Sequence, residues 1–274
     1  MFIDTHLHLV DRARLHYPWL AGVPALDRDW PFADYARMAA RLGIEGCLHM
    51  EVDVAPEDIG AETLFVRDQM GSGLMRGAIS SARPESADFP GFLDRLDRKV
   101  VRGIRRVLHV VPDEVSQSVT FRENVARMGT AGLPFDICVL ARQLPLAADL
   151  ADACADTVLV LDHCGVPDIA GGGYDGWAAA ITDLARRENV HAKISGITAY
   201  AAPDWTLDTL RPYVEHIVDR FGWNRVVWGS DSPVCTLNAS LETWVAATHA
   251  LMAGCSDSER AALYRDNARR LWAL

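Results

Sequence analysis

The chain of 274 residues contains few lysines: Lys99 and Lys193 are the only two among its 27 basic residues. Acidic residues outnumber basic ones, and the formal net charge is −10. Because nucleic-acid binding depends on a basic surface that neutralises phosphates, this charge argues against a nucleic-acid partner. The chain also lacks an apolar run of about 18 residues, so no membrane-spanning segment and no membrane partner are expected.

A secretory signal and cysteine motifs are missing as well. The sequence opens with Met1-Phe2-Ile3-Asp4, which has neither a basic start nor a long apolar stretch, and we therefore expect a cytoplasmic location. The six cysteines form no C-x-x-C pair, which argues against a structural zinc cluster or a disulfide framework. We expect them to be buried as small apolar side chains.

No glycine-rich phosphate loop follows the first predicted strand. The run Gly171–Gly173 lacks the Lys and Ser/Thr of such a loop and follows the sixth strand instead. This disfavours a doubly wound open sheet, which usually carries a phosphate loop after its first strand. No linker, repeat or low-complexity segment divides the chain, so residues 1–274 are expected to form a single domain.

Short β-rich segments alternate with helical patterns along the whole chain. The predicted strands are bounded by Gly, Pro or polar residues and cover Phe2–His8, Gly46–Val52, Leu74–Ser80, Val101–His109, Phe135–Leu140, Val158–His163, Val190–Ser195 and Arg225–Asp231. Apolar residues at helical spacing predict helices over Asp34–Leu42, Phe121–Met128, Leu146–Cys154, Trp177–Arg186, Leu210–Phe221 and Leu241–Met252. Eight strands alternating with helices predict an α/β fold, a single (β/α)8 TIM barrel.

Two additions to this barrel are predicted. A long loop after the first strand, Val10–Pro31, contains Trp19 and Trp30, and in a barrel such loops lie on the catalytic face. We expect it either to cover a pocket or to pack as a surface loop. An extra C-terminal helix is predicted over Ser256–Trp272, because its first residues have the spacing of a capping box that ends at Glu259.

Ionisable side chains lie at the ends of three predicted strands, where barrel enzymes place their catalytic groups. His6 and His8 share one face of the first strand because they are two residues apart, and Asp4 is expected on that face too. His163 ends the sixth strand and Asp231 ends the eighth. A charged group after an apolar strand is costly unless it is paired or used. This set suits a metal ion or a charged transition state.

Several segments in the same order resemble a known family: Ile3–His8, Gly103–Arg105, Ala141–Pro145, Leu161–Gly165, Lys193–Gly196, Gly229–Pro233 and Asn267–Leu271. Together they resemble the amidohydrolase superfamily, and within it the amidohydrolase-2 group of lactonase-like barrels, which includes sugar lactonases and pyrone-dicarboxylate lactonases. The resemblance covers nearly the whole chain. The order and spacing of the segments are more specific than any one of them.

The resemblance implies a hydrolase that opens a small lactone, with a sugar-acid lactone as the expected substrate. In that reading Asp231 accepts a proton from the attacking water. His6, His8 and His163 polarise the carbonyl and stabilise the oxyanion that forms. An ester bond is easier to cleave than an amide, so this chemistry does not require a centre with two metal ions.

The metal content is left open by the sequence. The binuclear centre of the larger superfamily uses a bridging lysine on the fourth strand, and Val101–Val107 contains none. We expect at most one divalent cation, zinc or manganese, held by His6, His8, His163 and Asp231. A metal-free site is the alternative, because some lactonases of this group work without metal.

Two arginines are implied as substrate-binding residues. Arg105 and Arg106 point to opposite faces of their strand, and the resemblance favours Arg105. Arg142 lies just past the fifth strand, where it could hold hydroxyls or a carboxylate. Both make a small polar or anionic lactone the expected ligand. The roles of four further polar residues stay open: His49, Glu51, His109 and Lys193.

Two other functions compete with the lactonase. A metal-dependent decarboxylase or hydratase of an unsaturated or aromatic acid would use the same scaffold, and a tightly bound zinc or manganese would favour it. Activity that a chelator leaves unchanged would favour the lactonase. A barrel that binds a ligand without catalysis is the third hypothesis, although four converging ionisable groups are more typical of an enzyme. The sequence does not indicate an oligomeric state.

Overall fold

A computed structural model describes residues 1–274 and contains one parallel sheet of eight strands in sequential order. The strands are β1 Phe2–Leu7, β2 Ile44–Met50, β3 Met75–Ser81, β4 Val101–Val107, β5 Phe135–Cys138, β6 Leu159–Leu161, β7 Val190–Ile194 and β8 Val226–Trp228. Backbone hydrogen bonds close the sheet between its first strand and the segment after its last. The Asp231 N–H donates to the carbonyl of His6 at 2.8 Å, and the His8 N–H donates to Ser232 at 2.7 Å. The predicted (β/α)8 barrel is confirmed.

The helices surround the sheet as α1 Phe32–Leu42, α2 Ile59–Gln69, α3 Phe89–Asp94, α4 Glu114–Gln117, α5 Val119–Thr130, α6 Leu144–Ala153, α7 Tyr174–Leu184, α8 Leu207–Phe221, α9 Leu241–Leu251, α10 Asp257–Ala261 and α11 Asn267–Trp272. Gly43 ends α1 with φ 72°, a left-handed conformation that favours glycine. The capping box at Ser256 forms as predicted. None of these helices is both long enough and apolar enough to cross a membrane.

Several helical segments differ from the prediction, and the short helices α3 and α4 were not predicted. The C-terminal helix is not continuous, because a π-helical turn over Ala262–Asp266 joins α10 to α11. This turn packs Tyr264 against Phe2, with ring centroids 4.2 Å apart. Helix α2 was not predicted at all. Its buried face carries Glu62 beside Phe65, and the carboxylate interrupts the apolar periodicity on which the prediction depends.

Strands β6 and β8 are shorter than predicted. They end at Leu161 and Trp228, whereas the sequence patterns continued to His163 and Asp231. Both of these polar residues adopt left-handed backbone conformations, with φ of 53° and 55°. A residue with such a φ cannot continue a strand, so the chain turns where the functional side chains begin.

The two ends of the barrel differ in polarity. Its amino-terminal end is closed by an apolar cluster that includes Ile3, Ile79, Val227 and Trp272, the last from α11. The larger apolar core lies between the strands and the surrounding helices. Polar side chains are therefore concentrated toward the carboxyl ends of the strands, the face that barrel enzymes use.

The long loop after β1 lies over that polar face. The backbone N–H of Trp30 donates to the carbonyl of Val10 at 2.9 Å, and this hydrogen bond closes the base of the loop. Trp19 projects toward the strand ends, and its indole N–H donates to the carbonyl of Val52 at 2.7 Å. The indole ring borders the cavity described below. Of the two alternatives, the structure therefore favours a loop that covers a pocket.

Replacing Trp272 with Ala should destabilise the barrel. The side chain is buried at the amino-terminal end, and a buried Trp→Ala change costs about 3–5 kcal/mol. Trp30→Ala, in the half-buried loop, is the matched control and should cost less. Urea denaturation followed by tryptophan fluorescence measures both. Equal losses in the two variants would contradict the role of Trp272 in closing the barrel.

Candidate active site

Strand β1 brings His6 and His8 to the barrel axis through an irregularity. Its register against β2 shifts between Asp4 and Leu7, so β1 carries one extra residue there. Asp4 consequently points toward α1, where its Oδ2 accepts a hydrogen bond from Tyr35 at 2.7 Å. The prediction that Asp4 shares the face of the two histidines is wrong, because it assumed regular alternation along the strand.

His6, His8 and Asp231 form a triangle of donor atoms. His6 Nε2 lies 3.2 Å from His8 Nε2 and 3.6 Å from Asp231 Oδ1. His8 Nε2 lies 3.4 Å from the same oxygen. A tetrahedral zinc site with bonds of about 2.1 Å has ligand atoms about 3.4 Å apart. The three distances therefore match one face of a zinc tetrahedron, and these residues fit a divalent cation.

The protonation of both histidines supports this fit. His8 Nδ1 lies 3.0 Å from the carbonyl of Met50, so Nδ1 carries the proton and Nε2 keeps a free lone pair. Burial, with the nearby Arg105 charge, lowers the pKa of His8 to about 3. Burial also lowers the pKa of His6 well below its usual range. Both imidazoles are neutral at physiological pH, which is the form that binds a metal.

Asp231 is a buried carboxylate without a hydrogen-bond donor on either oxygen. Burial raises its pKa to about 6, although the neighbouring His163 opposes the shift. A buried charge that lacks a partner is unfavourable, so this carboxylate requires a cation, a proton or a polar substrate beside it. It is the group in the triangle that most needs a positive ligand.

A buried ion-pair network lies beneath the triangle. Lys193 Nζ donates to Asp136 Oδ2 at 2.6 Å, lies 3.0 Å from Asp162 Oδ1, and donates to the carbonyl of Thr5 at 3.3 Å. Lys193 Nζ also lies 3.3 Å from His6 Nδ1, which is 3.4 Å from Asp162 Oδ1. Lys193 and Asp162 therefore hold the imidazole of His6 from below. Its Nε2 faces His8 Nε2 at 3.2 Å and Arg105 Nη1 at 3.4 Å.

The two aspartates of this network titrate very differently. Burial raises the pKa of Asp136 to about 7, even though Lys193 opposes the shift. Burial would also raise the pKa of Asp162, but Lys193 and His6 together lower it well below the usual range. Sequence reasoning had singled out Lys193 but not its partners. Asp136 lies within the apolar strand β5, the same signal that identified Asp231, so it could have been found.

Arg105 enters the barrel and is held by carboxylates. Its Nε donates to Glu51 Oε1 at 2.6 Å, and its Nη2 donates to the carbonyl of Glu51 at 2.7 Å. Its Nη1 donates to Asp162 Oδ2 at 3.3 Å and lies 3.4 Å from His6 Nε2. Arg106 points to the opposite side, where it pairs with Glu85 at 2.9 Å. Arg105 is thus both an ion-pair partner and a wall of the site.

His163 completes the group around Asp231. Its Nδ1 lies 3.0 Å from Ser195 Oγ and 3.9 Å from Asp231 Oδ2. Burial lowers the pKa of His163. Gly196 permits this approach, because a Cβ atom on it would lie only 2.9 Å from Asp231 Oδ2. The structure therefore brings together His6, His8, His163 and Asp231, the four residues that the sequence analysis selected.

Arg142 is not part of this group. Its side chain is 59% exposed, and its Nη1 donates to Asp113 Oδ2 at 2.7 Å. The ion pair holds the guanidinium outside the cavity that the histidines and Asp231 line. The structure therefore gives no contact between Arg142 and the site, and its role in substrate binding stays a prediction.

The remaining polar residues divide between the inside and the outside of the barrel. His49 points toward α2, where its Nε2 lies 3.2 Å from Glu62 Oε1, whereas Glu51 turns inward to Arg105. The prediction that His49 and Glu51 share a face is wrong, because β2 ends at Met50 between them. His109 lies at the cavity wall, with its Nδ1 3.5 Å from Cys138 Sγ.

These side chains surround a cavity of about 220 Å³ at the carboxyl end of the barrel. Its polar wall consists of His8, Asp53, Arg105, His109, His163 and Asp231. Its apolar wall includes Trp19, Tyr200 and four valines. A mostly apolar pocket with a few convergent polar groups is typical of a small-molecule site.

Comparisons with known proteins agree with this architecture. The sequence profile of the amidohydrolase family matches residues 3–274. An L-fucono-1,5-lactonase from Burkholderia ambifaria is 30% identical over 86% of this chain and 81% of that protein. A 4-sulfomuconolactone hydrolase from Rhizobium radiobacter is 26% identical over 84% of this chain and 75% of that protein. A solved amidohydrolase from Burkholderia multivorans with bound zinc has a TM-score of 0.91 at 25% identity, covering 100% of this chain and 99% of its own.

The titration of Asp231 predicts how zinc affinity should depend on pH. Since His6 and His8 are neutral, the single proton that zinc must displace is the one on Asp231, whose pKa is about 6. Affinity should be constant above pH 6 and fall about tenfold per pH unit below it. Competition with a chelator between pH 5 and pH 8 measures this slope.

Two variants control the zinc measurement. Asp231→Asn should weaken binding and remove the slope, whereas Asp68→Asn, in an exposed ion pair with Arg14, should change neither. A fall in zinc affinity of about 100-fold per pH unit below pH 6 would show that zinc displaces two protons. A histidine would then be protonated as well, which would contradict the lowered histidine pKa values.

Proposed function

Since this chain belongs to the amidohydrolase family, we propose that it hydrolyses a small polar lactone by addition of water to the ring carbonyl. The observation that carries the proposal is Asp231, a buried carboxylate without a donor that faces the cavity beside three histidines. The named lactone hydrolases among its relatives support the same reaction class. A sugar-acid lactone is the substrate that we favour.

In this proposal the two carboxylate oxygens of Asp231 have different roles: Oδ1 faces the candidate cation position, and Oδ2 transfers a proton. Its Oδ1 faces the two histidines of β1, and its Oδ2 faces His163 at 3.9 Å. Oδ2 is therefore the atom that accepts a proton from the attacking water. The same oxygen then returns the proton to the hydroxyl that leaves when the ring opens. A pKa of about 6 makes this exchange feasible at neutral pH, because the base form predominates there.

His163 and Arg105 provide hydrogen-bond donors around the reacting carbonyl. A proton on either group, directed at the carbonyl oxygen, stabilises the oxyanion as water adds. The charge of Arg105 is largely balanced by Glu51. Arg105 therefore positions the substrate and polarises its carbonyl, and contributes less to attracting an anion. One divalent cation is compatible with His6, His8 and Asp231, and such an ion supplies positive charge that polarises a carbonyl.

Asp231→Asn should abolish most turnover while preserving the fold, because the amide matches the carboxylate in shape but cannot accept the proton. The expected loss in kcat is about 10²- to 10⁴-fold. Asp68→Asn is the matched control. A panel of aldonolactones followed with a pH indicator measures the rates. Near-normal turnover by Asp231→Asn would reject this residue as the base. CO₂ release from an aromatic or unsaturated carboxylic acid, with no opening of any lactone in the panel, would favour the decarboxylase.

Arg105→Met should lower kcat/KM by about 10- to 150-fold, the effect of losing a charged hydrogen bond of about 1.5–3 kcal/mol. Arg142→Met is the matched arginine control, and its exposed position predicts a change below about twofold. Thermal unfolding of both variants separates catalysis from stability, because Arg105→Met also leaves Glu51 unpaired. Wild-type kcat/KM in Arg105→Met would make Arg105 purely structural, and a large loss in Arg142→Met would return that residue to the site.

A further inference from the structure

The cavity contains a second carboxylate that the proposed reaction does not use. Asp53 lies on its wall, and its ion-pair partner is Arg83. Its nearest cation is Arg83, with Nη2 3.6 Å from Oδ1, beyond the length of a hydrogen bond. Asp53 is 29% exposed and Arg83 is 22% exposed. The acceptor oxygens of Asp53 are thus available to a ligand.

The backbone at Asp53 is fixed by its neighbours. Its φ is 45°, in the left-handed region that glycine, asparagine and aspartate adopt more readily than other residues. The conformation is held by the N–H of Asp53, which donates to Glu51 Oε2 at 2.8 Å, and Glu51 is in turn bound by Arg105. These contacts fix the position of the Asp53 side chain on the cavity wall.

The cations near the cavity are already paired. Arg105 directs its Nε and Nη2 to Glu51 and its Nη1 to Asp162. Arg142 is outside the cavity and paired with Asp113. Arg83 gives its Nη1 to Ser81 Oγ and to the carbonyl of Ala82, its Nη2 faces Asp53, and it does not line the cavity. Arg105, the arginine that does line the cavity, is therefore already committed to carboxylates of the protein.

Trp19 lines the same cavity as Asp53. It is fixed through its indole N–H, which donates to the carbonyl of Val52, the residue before Asp53. The indole donor is therefore occupied, and the ring contributes apolar surface. A cavity with a carboxylate acceptor and an aromatic side chain suits a ring that carries both hydroxyl and C–H groups.

We infer that Asp53 is a specificity-determining residue that accepts hydrogen bonds from the hydroxyls of a neutral lactone and repels lactones that carry a carboxylate. This inference rests on the proposed function and narrows its substrate class from polar or anionic lactones to neutral, hydroxylated ones. It reverses the sequence-based expectation that arginines make the pocket favourable for an anion.

The test compares two lactones that differ in one group. D-glucono-1,4-lactone carries a CH₂OH where D-glucaro-1,4-lactone carries a carboxylate. Wild-type enzyme supplied with zinc at pH 7.5 should favour the neutral lactone in kcat/KM by at least about tenfold, since like charges in a pocket disfavour each other. Equal rates, or preference for the carboxylated lactone, would overturn the inference while leaving the lactonase intact.

Three variants test this preference: the two Asp53 variants should reduce the ratio of kcat/KM for the neutral lactone over the carboxylated lactone, and the Arg83 variant should increase it. Asp53→Asn keeps the shape and tolerates the left-handed backbone, and it should narrow the preference about fivefold or more by improving the carboxylated substrate. Asp53→Gly suits the backbone but removes the acceptor, so it should also slow the neutral lactone. Arg83→Met removes the nearest cation and should widen the preference. A preference that stays within twofold in all three variants would show that Asp53 does not determine specificity.

A binding measurement separates this inference from the proposed function. D-glucono-1,5-lactam is neutral and resists hydrolysis, so calorimetry with wild-type protein and Asp53→Gly reports binding alone. If neither lactone, nor any lactone in the aldonolactone panel, is hydrolysed, the proposed function fails. Lactam binding that weakens at least fivefold in Asp53→Gly would then still support the role of Asp53, whereas no binding, or equal binding to both proteins, would reject it.

Discussion

Charge balance inside the barrel is the constraint on which the site depends. A charge removed from water is tolerated only when an opposite charge or several hydrogen bonds replace the water. Asp162 meets this condition by contacting both Lys193 and Arg105. Asp231 does not meet it, because no cation in the protein pairs closely with it. The buried network thus concentrates the uncompensated negative charge at the one carboxylate that faces both the histidines and the cavity.

Backbone strain is concentrated at the same place. His163, Cys164 and Asp231 all adopt positive φ angles directly after apolar strands. Such conformations persist when the surrounding packing determines them, and here the neighbouring strands are buried on both sides. Gly196 is part of the arrangement, because any larger residue would press on Asp231 and His163. The buried strands therefore hold the backbone rigid, and the residues that follow them turn the side chains of His163 and Asp231 toward the site.

The sequence predicted the elements that depend on local pattern. Apolar runs with polar boundaries identified all eight strands, and strand ends identified the residues that converge as His6, His8, His163 and Asp231. Features that depend on tertiary context were missed. The register shift in β1 turned Asp4 outward without changing the local apolar spacing. The buried Glu62 concealed α2 because it interrupts the apolar spacing of that helix. An ion pair placed Arg142 outside the cavity, which no pattern within β5 could indicate.

Arg105 also explains why one divalent ion suits this barrel better than two. Strand four carries this arginine and no lysine, and Nη1 lies 3.4 Å from His6 Nε2, at the edge of the candidate metal triangle. A dication about 4 Å from the guanidinium is repelled by about 8 kcal/mol at an effective dielectric constant of about 20. For an ion in the triangle, the unpaired carboxylate of Asp231 opposes this repulsion. A second ion would meet the same repulsion without a bridging lysine on strand four to hold it, so the chain has the charge and the ligands for one ion.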